Sequence, residues 1–216
     1  TTRKEQGGKY ILPDVAKAME EKLQEKNIKK EEVKGMGIGV PGPITEDGTV
    51  LTCVNLGWGE FNVIDKLKKL TGLENVKVNN DANVAALGEM WQGGGKGYKN
   101  LIVITLGTGI GGGVIYDGKV LTGVRGAAGE IGHITVDFNE PDACNCGKHG
   151  CLEQFASATG IVKEAKRALA KNRQSSLARI QDLTAKDIFD EAKAGDELAL
   201  SLVDQLGRHL GIVASH

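Results

Sequence analysis

The sequence lacks an excess of either charge. Lys and Arg number 27 against 28 Asp and Glu, for a net charge of −1. This excludes the sequence-wide basic field that nucleic acid or an anionic membrane would need, so neither is expected as a partner. Long apolar runs are missing too: none approaches the roughly 18 residues of a membrane helix. The first ten residues are polar, with no apolar signal core, and a soluble, cytoplasmic protein is expected. Internal repeats and low-complexity tracts are absent. Aromatic residues are scarce at 4%, whereas glycine, 31 of 216 residues, is abundant. So much glycine implies tight turns or close approach of backbone to a ligand. Cysteine is sparse and unevenly placed, with Cys144, Cys146 and Cys151 together and Cys53 far away. A disulfide framework would spread its pairs, so metal is the better reading. What remains, 40% hydrophobic and 25% charged, is the composition of a folded protein of one or two domains. The chain opens on Thr1, not Met, and reads as a fragment or a processed product.

Along the chain, Ile11, Leu12, Val15, Met19 and Leu23 recur at helical spacing and predict a surface helix from about Gly8 to Lys26. A strand is expected over Val33–Val40, stopped by Pro41-Gly42-Pro43. A hairpin-like stretch follows over Thr49–Val54, with Glu46-Asp47-Gly48 as its turn. Phe61, Ile64, Leu67 and Leu70 mark a helix ended by Gly72. Val76–Val78 reads as a short strand and Ala82–Trp91 as a helix capped by Asn80 or Asp81. This alternation implies an α/β sheet with covered faces. Gln92–Gly97 is the linker candidate, dividing a smaller, incomplete α/β domain over residues 1–95 from a larger one over 96–216. Strands are expected over Leu101–Leu106, Gly113–Tyr116 and Ile131–Val136, an irregular loop over Asp137–Gly150, and helices beyond Leu152. Leu198, Leu202, Val203, Leu206, Leu210 and Val213 line the last helix.

Three constellations carry chemistry. Cys144, Cys146 and Cys151 suit tetrahedral Zn²⁺ if His133 or His149 supplies a fourth ligand; the closed shell would make the metal structural. Cys53, alone, reads as a small packed hydrophobe. Second, Gly107-Thr108-Gly109-Ile110-Gly111-Gly112-Gly113 joins two expected strands. Its consecutive N–H groups could cradle a phosphate, with a plain tight hairpin as the alternative. A dinucleotide fingerprint is disfavoured because no helix follows, and Gly37–Gly42 fails likewise before Pro41 and Pro43. No G-x-x-x-x-G-K-[ST] segment exists. Third, Asn79-Asn80-Asp81-Ala82-Asn83 lies where a strand end opens a helix, a position from which side chains reach the ligand crevice of an α/β sheet. Asp81 there could be a general base for phosphoryl transfer or a helix cap. Glu130, His133 and Glu153 are further polar groups near glycines.

Together these segments resemble the ROK family, which contains bacterial sugar kinases and sugar-responsive repressors. The resemblance rests on Val40-Pro41-Gly42-Pro43, Asn80-Asp81-Ala82, Leu106 to Gly113, Gly129-Glu130-Ile131-Gly132-His133, and Cys144-x-Cys146-Gly147-x-x-Gly150-Cys151-x-Glu153. Within the family they are most similar to the bacterial glucokinases, with Asn55-Leu56-Gly57-Trp58 adding to the likeness. The resemblance implies an actin-like, hexokinase-like ATPase fold of two α/β domains closing on sugar and ATP. It implies ATP-dependent phosphorylation of a hexose, glucose in the first place, at its 6-hydroxyl. Asp81 would be the base, and Asn80, Asp81, Glu130, His133 and Glu153 would hold the sugar. Gly107, Thr108, Gly109, Gly111 and Gly112 would bind ATP phosphates, with Mg²⁺ accompanying the nucleotide. His133 would join Cys144, Cys146 and Cys151 around a structural zinc. A homodimer is expected on the same ground. The resemblance also implies a longer kinase, opening on an Asp-x-Gly-Gly-Thr phosphate segment that is not present here. The 216-residue chain alone is therefore expected to be catalytically poor. The alternatives are a sugar-responsive repressor and a non-catalytic sugar-binding module.

Overall fold

The computed structural model describes residues 5–53, 56–171 and 174–215. Val54, which closes the expected hairpin stretch, and Asn55 of the Asn55–Trp58 segment lie outside the described residues. The chain divides into two compact units. One comprises Thr1–Val103 and Gly113–Gly129, the other Ile104–Gly112 and Glu130–His216.

In the first unit a single turn, α1 (Glu5–Gly8), precedes α2 (Ile11–Glu25). The helix begins later than Gly8 because Gly8 is left-handed at φ 65°. Two strands, β1 (Met36–Val40) and β4 (Val76–Asn80), run parallel in a register that pairs Val40 with Asn80. The turn at Glu46-Asp47-Gly48 forms as expected, closed by the Ile44–Val50 bridge. However, β2 (Thr49–Val50) pairs with β3 (Phe61–Asn62). The crossover continues through α3 (Val63–Thr71), capped by the Asn62 side chain, which accepts from Asp65 N at 2.9 Å, and ended by left-handed Gly72. Leu12, Val40, Val50, Cys53, Trp58, Val63 and Leu67 form the core. Cys53 is thus the small packed hydrophobe its isolation suggests.

β4 runs directly into α4 (Asp81–Gln92). The seam needs close backbone approach from β1: a Cβ on Gly39 would lie 3.2 Å from Asp81 Cα. Strands β5 (Leu101–Leu106), β6 (Ile110–Tyr116) and β7 (Lys119–Val120) make a three-stranded sheet in that order, and the boundary between the units passes through β5 and β6.

The second unit is mainly helical: α5 (Glu153–Ala156), α6 (Ala158–Lys171), α7 (Ala185–Lys193) and α8 (Glu197–Ala214). Leu152, Ile161, Leu177, Ile188, Leu202 and Leu206 are among its buried core. Asp196 caps α8 by accepting from Ala199 N at 2.9 Å. The strand expected over Ile131–Val136 is not formed. Ile131–His133 is a 3-10 turn, and Thr135 alone bridges to Cys151. A strand would place Ile131 and His133 on one face. The turn separates them, burying Ile131 in the core while His133 meets the thiols. Among the described residues no helix is long and apolar enough to cross a membrane.

Candidate functional site

The first unit holds the junction of β4 and α4. Asn80 is the N-cap, its Oδ1 accepting from Ala82 N at 2.9 Å and Asn83 N at 3.2 Å. Its Nδ2 donates to Gly42 O at 3.2 Å, so the Pro41-Gly42-Pro43 loop is tied to the same side chain. Asn79 Oδ1 accepts from Asn80 N at 2.8 Å and from Asn83 Nδ2 at 3.1 Å. Three asparagines thus fix the backbone on which Asp81 stands. Because Asn80 serves as the cap, the exposed Asp81 carboxylate is engaged, among the described residues, only by its neighbour, Oδ1 accepting from Ala82 N at 2.9 Å. Asn83 is buried, and among the described residues its Oδ1 has no hydrogen-bond partner.

In the second unit His133, Cys144, Cys146 and Cys151 present ligand atoms that all lie within 4.8 Å of one another. Cys144 Sγ is 3.6 Å from His133 Nδ1, and Cys146 Sγ 3.6 Å from Cys151 Sγ. Tetrahedral sites with metal–sulfur bonds of ~2.3 Å and metal–nitrogen bonds of ~2.0 Å separate their donors by roughly 3.5–3.8 Å. The four groups therefore fit a metal ion. His149, the other candidate, is turned away, its Nδ1 3.1 Å from Glu140 O. Burial pushes the Cys151 thiol up to about 12 and Cys144 above its ordinary value. Holding the Cys144 and Cys151 sulfurs as thiolates therefore calls for a cation beside them.

The surrounding contacts hold these ligands. Gln154 Oε1 accepts from Cys151 N at 3.0 Å while its Nε2 donates to Asp142 O at 2.9 Å. Lys148 Nζ donates to His133 O at 2.7 Å. Where the loop begins, the buried Glu140 carboxylate receives Arg167 Nη1 at 2.7 Å and Nη2 at 2.8 Å, with Lys163 at 3.3 Å. The Arg167 guanidinium is the main reason its carboxyl sits at about 2.

The Gly-rich segment is divided. Gly107 and Thr108 are exposed in a turn closed by Gly107 N donating to Gly109 O at 3.0 Å, whereas Gly111 and Gly112 lie within β6 and Gly112 is buried. The turn is anchored on the start of α6, with Ala158 N donating to Gly107 O at 2.9 Å and Thr159 Oγ1 to Thr108 O at 2.7 Å. It is anchored again by Glu153, whose Oε2 accepts from Ile110 N at 2.9 Å. Glu130 precedes the 3-10 turn, its carbonyl accepting from His133 N at 3.1 Å. The fold thus joins His133 to the cysteines and Glu153 to the Gly-rich turn. The supporting roles of Asn79 and Asn83, of Gln154 and of the Glu140–Arg167 pair emerge only in the structure. Asn-x-x-x-Asn at a strand end is the one local signal among them.

The mixed α/β chain shares its fold with solved ROK sugar kinases, which places it in the actin-like ATPase class. The chain belongs to the ROK family, whose model matches residues 4–216. It is 47% identical, over its whole length, to a glucokinase of Halalkalibacterium halodurans, of which it covers 66%. A ROK family transcriptional regulator, homolog of the E. coli MLC protein, superposes with a TM-score of 0.83 at 32% identity, over 94% of this chain and 51% of that one. A ROK family glucokinase from Streptomyces griseus, solved in complex with glucose and AMPPNP, gives a TM-score of 0.73 at 33% identity, over 93% of this chain and 66% of that one. The chain spans about half to two thirds of the length of these relatives.

Proposed function

We propose that the protein works in the cytoplasm as a glucokinase, transferring the γ-phosphoryl group of ATP to the 6-hydroxyl of a hexose, glucose in the first place. The observation that carries this reading is Asp81, an exposed carboxylate at the C-terminal end of a parallel strand, on a backbone fixed by Asn79, Asn80 and Asn83. Asp81 accepts the proton of the 6-hydroxyl as that oxygen attacks the γ-phosphorus. The bond from phosphorus to the bridging oxygen breaks, and its electron pair leaves on ADP. Hexose 6-phosphate and ADP result, and Asp81 returns its proton to solvent.

Asn80, Glu130, His133 and Glu153 hold the ring hydroxyls. A site of such donors and acceptors rejects analogues that lack a hydroxyl, because its own polar groups would be left unpaired. The Gly-rich turn around Thr108 faces the phosphates, and Mg²⁺ bound with ATP would offset their charge. His133, Cys144, Cys146 and Cys151 would hold zinc, which would supply rigidity; with Nδ1 turned to the cysteines, His133 keeps Nε2 for the sugar.

The test is glucose-dependent release of ADP by the zinc-loaded parent protein, extended to the length of its kinase relatives, and by its Asp81→Ala variant. Loss of a general base is expected to lower kcat by at least about 10², with glucose affinity changed much less. Turnover that survives in Asp81→Ala removes the assignment. A second reading, a hexose-sensing regulator, is favoured by the TM-score of 0.83 to a transcriptional regulator. It predicts hexose binding with no phosphoryl transfer by the wild type.

A further inference from the structure

Glu153 touches the Gly-rich turn at two points. Its Oε2 accepts from Ile110 N at 2.9 Å, across 43 residues of chain. The same oxygen lies where a side chain on Gly109 would start: a Cβ there would collide with Oε2 and lie 3.1 Å from Cδ. A side chain at Gly109 would therefore push the Glu153 carboxylate off this position and strain its bond to Ile110 N. The turn could accommodate a side chain at Gly107, where a Cβ meets nothing nearer than 4.0 Å. With Oε2 engaged by the turn, Oε1 is left for a hexose hydroxyl.

We infer that Glu153 is a positioning residue shared by two ligands, so that the geometry of the phosphate turn sets hexose affinity and Gly109, which carries no polar side chain, controls sugar binding through it. The inference rests on the hexose reading above. Binding free energies are reciprocal, so a ligand that fixes the turn and strengthens hexose binding by some factor is itself bound more tightly, by that same factor, when hexose is present.

The experiment is a double-mutant cycle. Glucose is titrated calorimetrically into the zinc-loaded wild type, Gly109→Ala, Glu153→Ala and the double variant, with amide hydrogen exchange at Ile110 followed alongside. Gly109→Ala is expected to weaken glucose binding at least about tenfold and to speed exchange at Ile110, yet to add less than about twofold once Glu153 is alanine. Glu153→Gln keeps an oxygen for Ile110 N–H but replaces the other with a donor. Exchange at Ile110 should then stay slow while glucose affinity falls, a separation that a purely structural role would not produce. An additive cycle, or Ile110 exchange indifferent to Glu153→Ala, overturns the inference while leaving the hexose site standing. A folded wild type that binds no glucose removes the hexose site and the coupling with it.

Discussion

Replacing Arg167 with methionine is predicted to destabilise the second unit by leaving a buried anion short of its main partner. The Glu140 side chain is 2% exposed, and Arg167 supplies two of its hydrogen bonds, at 2.7 and 2.8 Å. The Arg167 guanidinium is the first cause of the drop in its carboxyl from 4.5 to about 2. That lowering corresponds to roughly 3 kcal/mol. Both Arg167 and Lys163 are 33% exposed, and solvent screening reduces the figure to about 2 kcal/mol. Lys163 remains in the variant, so the expected loss at pH 7 is about 1–2 kcal/mol. A depressed carboxyl stabilises the fold fully above its unfolded value and ceases to do so as pH falls through its folded one. The gap between wild type and variant should therefore be full above pH 4.5 and close as pH approaches 2. Urea unfolding followed by far-ultraviolet circular dichroism, at pH 7 and at pH 3, reads both. A variant within about 0.3 kcal/mol of wild type at pH 7, or a deficit as large at pH 3 as at pH 7, would refute the reasoning.

Three further outcomes follow from the same contacts. Cobalt added to the metal-free protein should give the thiolate-to-metal absorption of a tetrahedral Cys₃His site at one ion per chain. Cys144→Ser should abolish it and His149→Ala leave it unchanged, whereas an unchanged band in His133→Ala would reject the ligand set. Asn80→Ala, which removes the cap of α4 and the tie to Gly42, should cost about 1–2 kcal/mol of stability and weaken hexose binding together; an unaltered urea midpoint would show that the cap is dispensable. Leu67→Ala, at a fully buried position of the first core, should cost about 2–5 kcal/mol by the cavity it leaves, measured by the same urea midpoint; a loss below about 1 kcal/mol would mean that this core is looser than its burial implies.

Local patterns carry much of the site. The β4–α4 junction is readable because a polar cluster, Asn79 to Asn83, closes a short strand and opens a helix, and the cysteine loop because three thiols in eight positions suit few other purposes. Spacing alone does not choose between His133 and His149; the family resemblance points to His133, and the turn at Ile131–His133 is what aims that ring at the sulfurs. The strand expected there fails because Ile131 and His133 answer to different neighbours, a core on one side and a metal group on the other. Glu153 with Ile110, and Glu140 with Arg167, are contacts over 43 and 27 residues, and nothing local announces them. In the Gly-rich segment the glycines look alike, yet Gly107 and Gly109 shape a turn at the surface while Gly112 is a buried strand residue.

The most direct test of the account is calorimetric titration of the zinc-loaded protein with glucose, mannose, fructose, N-acetylmannosamine and N-acetylglucosamine. Saturable glucose binding that disappears in Glu130→Ala is the predicted result. A folded, zinc-containing sample that binds none of the five would contradict the hexose site on which the account stands.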